Sequence, residues 1–174
     1  MSVRRRSSGL AVSPQPLTPQ AFAPYGELVQ HLGDEKRYDV VGSYAYTEPS
    51  AKPMMWINRI GRHPDSAVTV DRMERHPHSP QTFVPLLPGR CLAVVAMPDA
   101  RGEPDMASLK AFVTQPGQGV IYRPNIWHFA FTALDQANDV LVLMGLTDRA
   151  DDFIVTEIVP AIPISTGLAG AVAQ

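Results

Sequence analysis

The residues best suited to chemistry lie between Glu74 and Gln81 and, much later in the chain, at His128. Glu74 and His76 are two positions apart, so on a β-strand both side chains point to the same face of the sheet. Carboxylate, imidazole and amide groups are all ligands of divalent metal ions. We therefore predict that these two residues, together with Gln81 and His128, converge on one site that holds a divalent metal, a water molecule or a small carboxylate. The alternative for Glu74 and His76 is a surface ion pair on an edge strand.

Other side chains are candidates for binding a small carboxylate substrate. Arg59 and Arg123 each carry a planar guanidinium group that fits a carboxylate. Arg59 equally suits a structural ion pair, and Arg123 equally suits a turn. Tyr38 and Tyr122 are candidate hydrogen-bond donors to the substrate or aromatic residues of the core. His78 is either an exposed loop residue, because prolines interrupt the strand around it, or a base.

The elements that must position these residues are short β-strands. Apolar, β-rich runs recur about every ten residues between proline, glycine and aspartate, which is typical of an all-β barrel or sandwich. The runs are 44–46, 54–60, 67–70, 81–87, 90–97, 111–113, 119–122, 128–133, 140–146 and 153–158. Helix signals are scarce. We predict a short helix at 19–25, with Thr18 as its N-cap and Gly26 as its end, and one helical turn at 105–110.

The length and composition predict a single soluble domain. The chain has 174 residues, of which 45% are apolar, and this is enough for one hydrophobic core. No apolar run reaches the roughly 20 residues of a membrane-spanning helix. We predict that residues 17–160 form the domain and that residues 1–16 are a disordered tail. Residues 161–174 are small and apolar, and we predict a tail that either packs on a partner subunit or is disordered.

Charge and cysteine content limit the location and the partners. The net charge of −2 gives no general attraction for nucleic acid, so the arginine run at 4–6 is predicted to be part of a solvated tail. Cys91 is the only cysteine and lies in an apolar run, which predicts a buried thiol and suits a reducing cytoplasm. We therefore expect a cytoplasmic protein that binds neither nucleic acid nor a membrane.

The spacing of the two segments resembles the two signature motifs of the cupin superfamily. The matching positions are Glu74, His76, Gln81 and the Pro88–Gly89 turn for the first motif, and Gly117 and His128 for the second. Arg123 stands where cupins usually carry proline. The resemblance implies an all-β, cupin-type barrel, that is, a double-stranded β-helix.

Individual residues narrow the resemblance to one family. They are Glu-Arg-His-Pro at 74–77, Gln-x-Phe-x-Pro at 81–85, Leu-x-Ala-Phe at 109–112, Asn-Ile-Trp-His at 125–128 and Leu-Thr-x-x-Ala-Phe-x-x-Tyr-Gly at 17–26. Over residues 17–158 the sequence resembles the bacterial ureidoglycolate lyases. The resemblance implies a homodimeric enzyme that splits ureidoglycolate into glyoxylate and urea in purine (allantoin) catabolism, with a divalent metal, nickel.

Two alternatives stay open beside this function. One is a cupin lyase or isomerase acting on a related small hydroxy or ureido acid, and the other is a cupin that binds a small ligand without turnover. The sequence departs from the family pattern at Leu32, Arg123, Phe129 and Met144. The four predicted metal ligands, Glu74, His76, Gln81 and His128, match the family pattern. The positions that differ include several that contact the substrate in the family.

The chemistry expected of the family suits these ligands. Ureidoglycolate is a carbinolamine, and its elimination requires that a proton leave the hydroxyl group and another reach the departing nitrogen. A metal bound to the carboxylate and hydroxyl oxygens lowers the pKa of the hydroxyl group. We expect Glu74, His76 and His128 to be the catalytic residues. Their imidazole and carboxylate groups also suit zinc, iron or manganese, so the ligands alone do not choose the metal.

Overall fold

The structure, a computed structural model, describes residues 12–40 and 48–166. Within these residues the chain forms twelve strands, one short α-helix and one 3-10 helix. The helix α1 is Pro19–Phe22, and the 3-10 helix is Met106–Ser108. The strands are β1 (Gln15–Pro16), β2 (Gly26–Val29), β3 (Lys52–Ile60), β4 (Ala67–Arg75), β5 (Gln81–Pro85), β6 (Cys91–Ala96), β7 (Lys110–Val113), β8 (Gly119–Tyr122), β9 (Trp127–His128), β10 (Thr132–Ala133), β11 (Asn138–Leu146) and β12 (Ile154–Ser165).

The strands form two sheets. The first has the order β1-β7-β6-β9-β4-β12, with β10 also paired to β6, and the second has the order β2-β8-β5-β11-β3. Except for the parallel pair β1–β7, the paired strands are antiparallel. This arrangement confirms the predicted all-β, cupin-type fold. Every predicted β-rich run among the described residues overlaps a strand, and the run at 44–46 lies outside them.

The position of β6 between two buried clusters explains why its sequence is apolar without alternation. Cys91, Ala93 and Val95 belong to one buried cluster, and Leu92, Val94 and Ala96 belong to the other. Both faces of the strand are therefore buried, and such strands read as continuous apolar runs. Burial raises the pKa of the Cys91 thiol to about 12, so this cysteine is an inert core residue, as the sequence predicts.

The boundaries predicted for the two tails need correction. The domain was predicted to end at residue 160, but β12 continues to Ser165 and its last four residues pair with β4. Ile162 and Ile164 are buried, because alternate residues of the strand face the core. At the other end, β1 pairs with β7 inside the segment that was predicted to be a disordered tail. Residues 1–11 and 167–174 lie outside the described residues.

The short helix begins as predicted and ends earlier. The Thr18 hydroxyl accepts a hydrogen bond from the Ala21 amide at 3.2 Å, and Pro19 occupies the first helical turn. The helix ends at Phe22, and Gly26 opens β2 rather than closing the helix. Across the described part of the chain, no helix is long and apolar enough to span a lipid bilayer.

Gly26 is required by close approach of two strands, and its replacement tests this. A methyl group on Gly26 would lie 1.8 Å from the carbonyl oxygen of Ile121 in β8. We expect Gly26→Ala to lower the free energy of unfolding by about 1–3 kcal/mol, as overpacking does, when measured by urea denaturation. Gly61→Ala is the matched control, because its added methyl group meets no atom within 4 Å among the described residues. Equal losses in both variants would contradict this explanation.

Candidate metal centre

Strand pairing brings the predicted ligands together. Glu74 in β4 lies directly opposite His128 in β9, and His76 follows just after the end of β4. Glu74 Oε1 is 3.3 Å from His128 Nε2 and 4.0 Å from His76 Nε2. Ligand atoms from the three residues all lie within 4.8 Å of one another. The structure therefore contains a candidate metal-binding triad at the predicted residues.

The hydrogen bonds of the two histidines leave one nitrogen of each ring available. His76 Nδ1 is 2.9 Å from the carbonyl oxygen of Asp152, and His128 Nδ1 is 3.0 Å from that of Ile126. A carbonyl only accepts, so each Nδ1 carries the hydrogen, and in the neutral ring each Nε2 then has a free lone pair. Orientation of a metal-ligating histidine by a backbone carbonyl is the usual arrangement.

The available nitrogens are buried and lack partners. Neither His76 Nε2 nor His128 Nε2 has a hydrogen-bond partner among the residues that the structure describes. Leaving a buried polar atom unsatisfied costs about 1–3 kcal/mol. His128 Nε2 also faces Glu74 Oε1 at 3.3 Å, although both are acceptors when the ring is neutral and the carboxylate is ionised. A cation between these atoms would satisfy all three residues, so the donor set fits a divalent metal.

Gln81 offers a fourth donor. It is the first residue of β5 and lines the same cavity as Glu74 and His76. Its amide nitrogen points to the sulfur of Met144 at 3.6 Å, which leaves Oε1 as the free atom. That oxygen is buried and has no partner within residues 12–40 and 48–166. An amide oxygen is a hard neutral ligand, so Gln81 can complete a four-ligand set without adding charge.

The electrostatics keep the triad in its metal-binding form. Burial and the neighbouring His128 lower the pKa of His76, outweighing the opposite effects of the Asp152 carbonyl, Glu74 and Gln81. Burial acts to raise the pKa of Glu74, but the neighbouring His128 and, to a smaller extent, His76 bring it below its usual value. At neutral pH His76 is therefore neutral and Glu74 is ionised, as metal binding requires.

These pKa shifts predict that acid destabilises the metal-free protein. The unfolded chain protonates a histidine below about pH 6.5 and a glutamate below about pH 4.3, whereas both groups resist protonation in the fold. The unfolded state then binds more protons, so stability falls as pH falls. In chelator-treated protein we expect the thermal midpoint to fall between about pH 7 and pH 5, and to fall less in His76→Ala. Identical pH dependence in the two proteins would contradict the shift assigned to His76.

A cavity of about 370 Å³ opens beside the triad. Its lining residues are Trp56, Asn58, Ile60, Glu74, His76, Gln81, Phe83, Ala130, Phe131, Val140, Met144, Leu146, Asp152 and Phe153. The loop after β11 supports its edge, because the Asp152 carboxylate accepts hydrogen bonds from the Thr147 amide at 2.5 Å and the Thr147 hydroxyl at 2.6 Å. The same residue holds the ring of His76 through its carbonyl group.

Arg59 does not reach this cavity. On β3, Trp56, Asn58 and Ile60 face the cavity, so alternation turns Arg59 to the outside. Its side chain is 83% exposed and forms two hydrogen bonds with the Asp139 carboxylate, at 2.8 and 3.0 Å. The structure thus places Arg59 in the structural ion pair that was the alternative to substrate binding.

Arg123 and Tyr38 also lie away from the triad. The Arg123 guanidinium donates a hydrogen bond to the carbonyl of Ala23, just after α1. Tyr38 is 41% exposed, and its ring lies 5.5 Å from that of His31. Both residues line a separate surface depression. Neither residue touches the cavity beside the triad, so as placed here neither one can bind a substrate held at the triad.

Tyr122 packs against the triad, whereas His78 belongs to a separate cluster of charged residues. The Tyr122 ring stacks on His128, with ring centres 4.4 Å apart, and burial raises the pKa of its hydroxyl group. Tyr122 therefore stays protonated, and it packs against a ligand rather than lining the cavity. His78 Nε2 lies 2.9 Å from the Asp151 carboxylate and 3.1 Å from Arg149, which makes it part of a surface ion cluster.

Three residues that line the cavity were missed by the sequence reasoning. Asn58 at the cavity rim follows from the alternation of β3, a signal that was present in the sequence. Asp152 and Met144 act on His76 and Gln81 across the fold, from positions far along the chain. No local sequence pattern marks such contacts.

Comparisons with known proteins identify the family of this chain. The family model described as ureidoglycolate lyase matches residues 10–161. A ureidoglycolate lyase of Brucella anthropi is 32% identical over 82% of this chain and 89% of its own length, and one of Mesorhizobium japonicum is 33% identical over 81% and 87%. A solved dTDP sugar isomerase from Desulfovibrio desulfuricans covers 74% of this chain and 80% of its own, with 10% identity and a TM-score of 0.45. By its sequence, this chain belongs to the ureidoglycolate lyase family.

Proposed function

We propose that this protein is a lyase that cleaves ureidoglycolate to glyoxylate and urea, and that a divalent metal assists the reaction. The observation that carries the proposal is the set of buried donor atoms beside the cavity. His76 Nε2, His128 Nε2 and Gln81 Oε1 each lack a partner in the described part of the chain, and the Glu74 carboxylate lies among them. Family membership favours the lyase over the isomerase and the non-catalytic alternatives.

Glu74, His76 and His128 would hold the metal, with Gln81 as the fourth ligand. When bound, a divalent cation supplies Lewis acidity to the carboxylate and hydroxyl oxygens of the substrate. Glu74 is the only anionic group of the set, so the loaded site carries a net charge near +1 that attracts an α-hydroxy carboxylate. Nickel is the metal that we propose from the sequence resemblance, and elemental analysis of the purified protein distinguishes it from zinc, iron and manganese.

Glu74 is the group best placed to move a proton. It is ionised at neutral pH, lines the cavity and has a second carboxylate oxygen that is not needed as a ligand. We assign this oxygen to accept the hydroxyl proton and to return it to the nitrogen as the carbon–nitrogen bond breaks. His76 and His128 keep their lone pairs directed to the site because backbone carbonyls fix their rings.

The apolar wall protects the reaction from water. Phe83 and Phe131 stack with ring centres 5.5 Å apart, and both line the cavity. Exclusion of water strengthens the electrostatic interactions between the triad and the substrate.

Urea release tests the proposed function. Metal-loaded protein is mixed with racemic ureidoglycolate, and glyoxylate and urea are measured together. The expected result is equal amounts of both products at a rate well above spontaneous decomposition. His76→Ala protein provides the background, since it keeps the same surface and lacks a ligand. A rate equal to this background would overturn the proposal.

We also propose that the protein is a homodimer. Strands β3 and β12 are the outer strands of their sheets, and uncovered edges tend to be paired or protected. Met55 and Ile57 on β3 are 65% and 59% exposed, so this edge offers apolar surface for a second copy. We expect a dimer mass by light scattering at micromolar concentration, and Met55→Lys should shift it toward the monomer. A monomer mass for the unchanged chain would count against the dimer.

The setting proposed for this activity is the cytoplasm, in purine (allantoin) catabolism. The single thiol, Cys91, is buried and forms no disulfide, which suits a reducing compartment. The expected partner is a small carboxylate substrate rather than a nucleic acid or a membrane.

A further inference from the structure

The wall of the cavity beside the triad is mainly apolar. Nine of its fourteen lining residues are apolar, and within residues 12–40 and 48–166 no lysine or arginine lines it. Four of the nine are aromatic: Trp56, Phe83, Phe131 and Phe153. The ring of Phe153 lies 5.7 Å from that of His76, so this aromatic surface begins directly beside a metal ligand.

Most polar groups of the lining already have other interactions. Glu74, His76 and Gln81 belong to the proposed metal site, and the Asp152 carboxylate is bound by Thr147. Asn58 is the remaining polar residue of the lining, and it is exposed at the rim. A ureido group carries a carbonyl and a terminal amino group that need hydrogen-bond partners when buried. The described wall offers few such partners.

The cavity also has room for a group larger than ureido. Its volume of about 370 Å³ lies within the range of small-molecule pockets, whereas ureidoglycolate is about the size of one tryptophan side chain. Phe83 and Phe131 both line this space, and their rings stack with centres 5.5 Å apart and planes inclined by 23°. Flat apolar groups pack well against aromatic rings.

We propose that this protein also cleaves N-acyl α-hydroxyglycines whose acyl group is apolar, with the acyl group bound against the aromatic wall. The inference rests on the proposed lyase chemistry. These compounds have the same carbon, bearing a hydroxyl group, a carboxylate and an amide nitrogen. The hydroxyl proton leaves, the carbon–oxygen double bond forms, the carbon–nitrogen bond breaks, and the nitrogen takes up a proton. The products are glyoxylate and a primary amide, with no change in oxidation state.

Racemic α-hydroxyhippurate, which carries a benzoyl group, is the probe. Metal-loaded protein is assayed for glyoxylate with this compound and with ureidoglycolate, and benzamide is measured as the second product. We expect kcat/KM for α-hydroxyhippurate to exceed that for ureidoglycolate by about tenfold or more, because an apolar pocket favours the benzoyl group over the polar ureido group. His76→Ala protein should release neither product above the spontaneous rate.

A change in the polarity of the wall gives a second measurement. Leu146 lines the cavity and is 37% exposed, so Leu146→Asn should fold and should place an amide against the acyl group. We expect the ratio of the two kcat/KM values to fall by about tenfold toward ureidoglycolate. Leu86→Asn is the matched control, because Leu86 is 47% exposed and does not line the cavity. An unchanged ratio in Leu146→Asn would overturn the assignment of the acyl group to this wall.

The outcomes separate this inference from the proposed function. Cleavage of ureidoglycolate alone would overturn the inference and leave the proposed function standing. Cleavage of α-hydroxyhippurate alone would support the inference and overturn ureidoglycolate as the substrate. Cleavage of neither would overturn both.

Discussion

Replacing His76 by alanine is expected to remove the bound metal and the lyase activity together while the fold survives. His76 Nε2 lies 4.0 Å from Glu74 Oε1, and each residue of the triad offers one ligand atom to the metal. Loss of an outer partner of a metal ligand typically costs about 10- to 100-fold in affinity or activity. Loss of the ligand itself should therefore cost more than about 100-fold in kcat/KM. Metal content by elemental analysis and glyoxylate release are the two readouts.

The structure explains why the fold should tolerate this change. His76 lies beyond the end of β4 and borders the cavity, so its removal enlarges a space that already exists. The variant loses the hydrogen bond of His76 to Asp152 and its ring contacts with Phe153 and His128, a cost of about 1–2 kcal/mol. His63→Ala is the matched control, because His63 binds the Ala67 carbonyl and does not line the cavity. Full activity in His76→Ala would rule out His76 as a ligand.

His128→Ala distinguishes a metal site from a structural histidine. His128 is only 1% exposed and stacks on Tyr122, so this variant should lose some stability as well as the metal. If it unfolds while His76→Ala retains both metal and activity, the histidines are structural and the lyase mechanism fails.

Glu74→Gln is expected to have a similarly large effect through charge alone. The variant keeps the size of the side chain but removes the only negative charge of the four donors. We expect metal affinity to fall by about 100-fold or more and the rate to fall by about 100- to 10,000-fold, the usual contribution of an acid–base group. The pKa of Glu74 is held below its usual value, so the wild-type group is a carboxylate throughout the neutral range.

Glu157→Gln is the control for this experiment. Glu157 is exposed on β12, the neighbour of β4, and the change removes the same charge at a distance from the cavity. Its metal content and rate should match those of the unchanged protein. Excess metal should restore part of the metal content of Glu74→Gln but not its rate, because the proton acceptor is missing. Restoration of both would show that Glu74 is a ligand only.

The sequence by itself was sufficient for strands β3 to β12 and, with the family resemblance, for the identity of the triad, whereas β1 and β2 were not predicted. Short β-rich runs punctuated by proline and glycine predict strands because the signal is local. The spacing of Glu74 and His76 predicts a shared direction because strand geometry alternates side chains. His128 lies on a distant strand, and it was predicted because it matches a family motif. Thr18 was likewise predictable, because a helix cap depends on its immediate neighbours.

The tertiary structure alone decided which polar residues face the triad. The sequence alone allowed Arg59 to bind a substrate carboxylate. The pairing of β3 with β11 places Arg59 opposite Asp139, and the two side chains form an ion pair. Met144 orients the amide of Gln81 from another strand, and Asp152 fixes His76 from a loop. The end of the domain was also misjudged, because Ile162 and Ile164 are buried only through pairing with β4. These outcomes depend on contacts between residues distant in sequence, and no local pattern encodes such contacts.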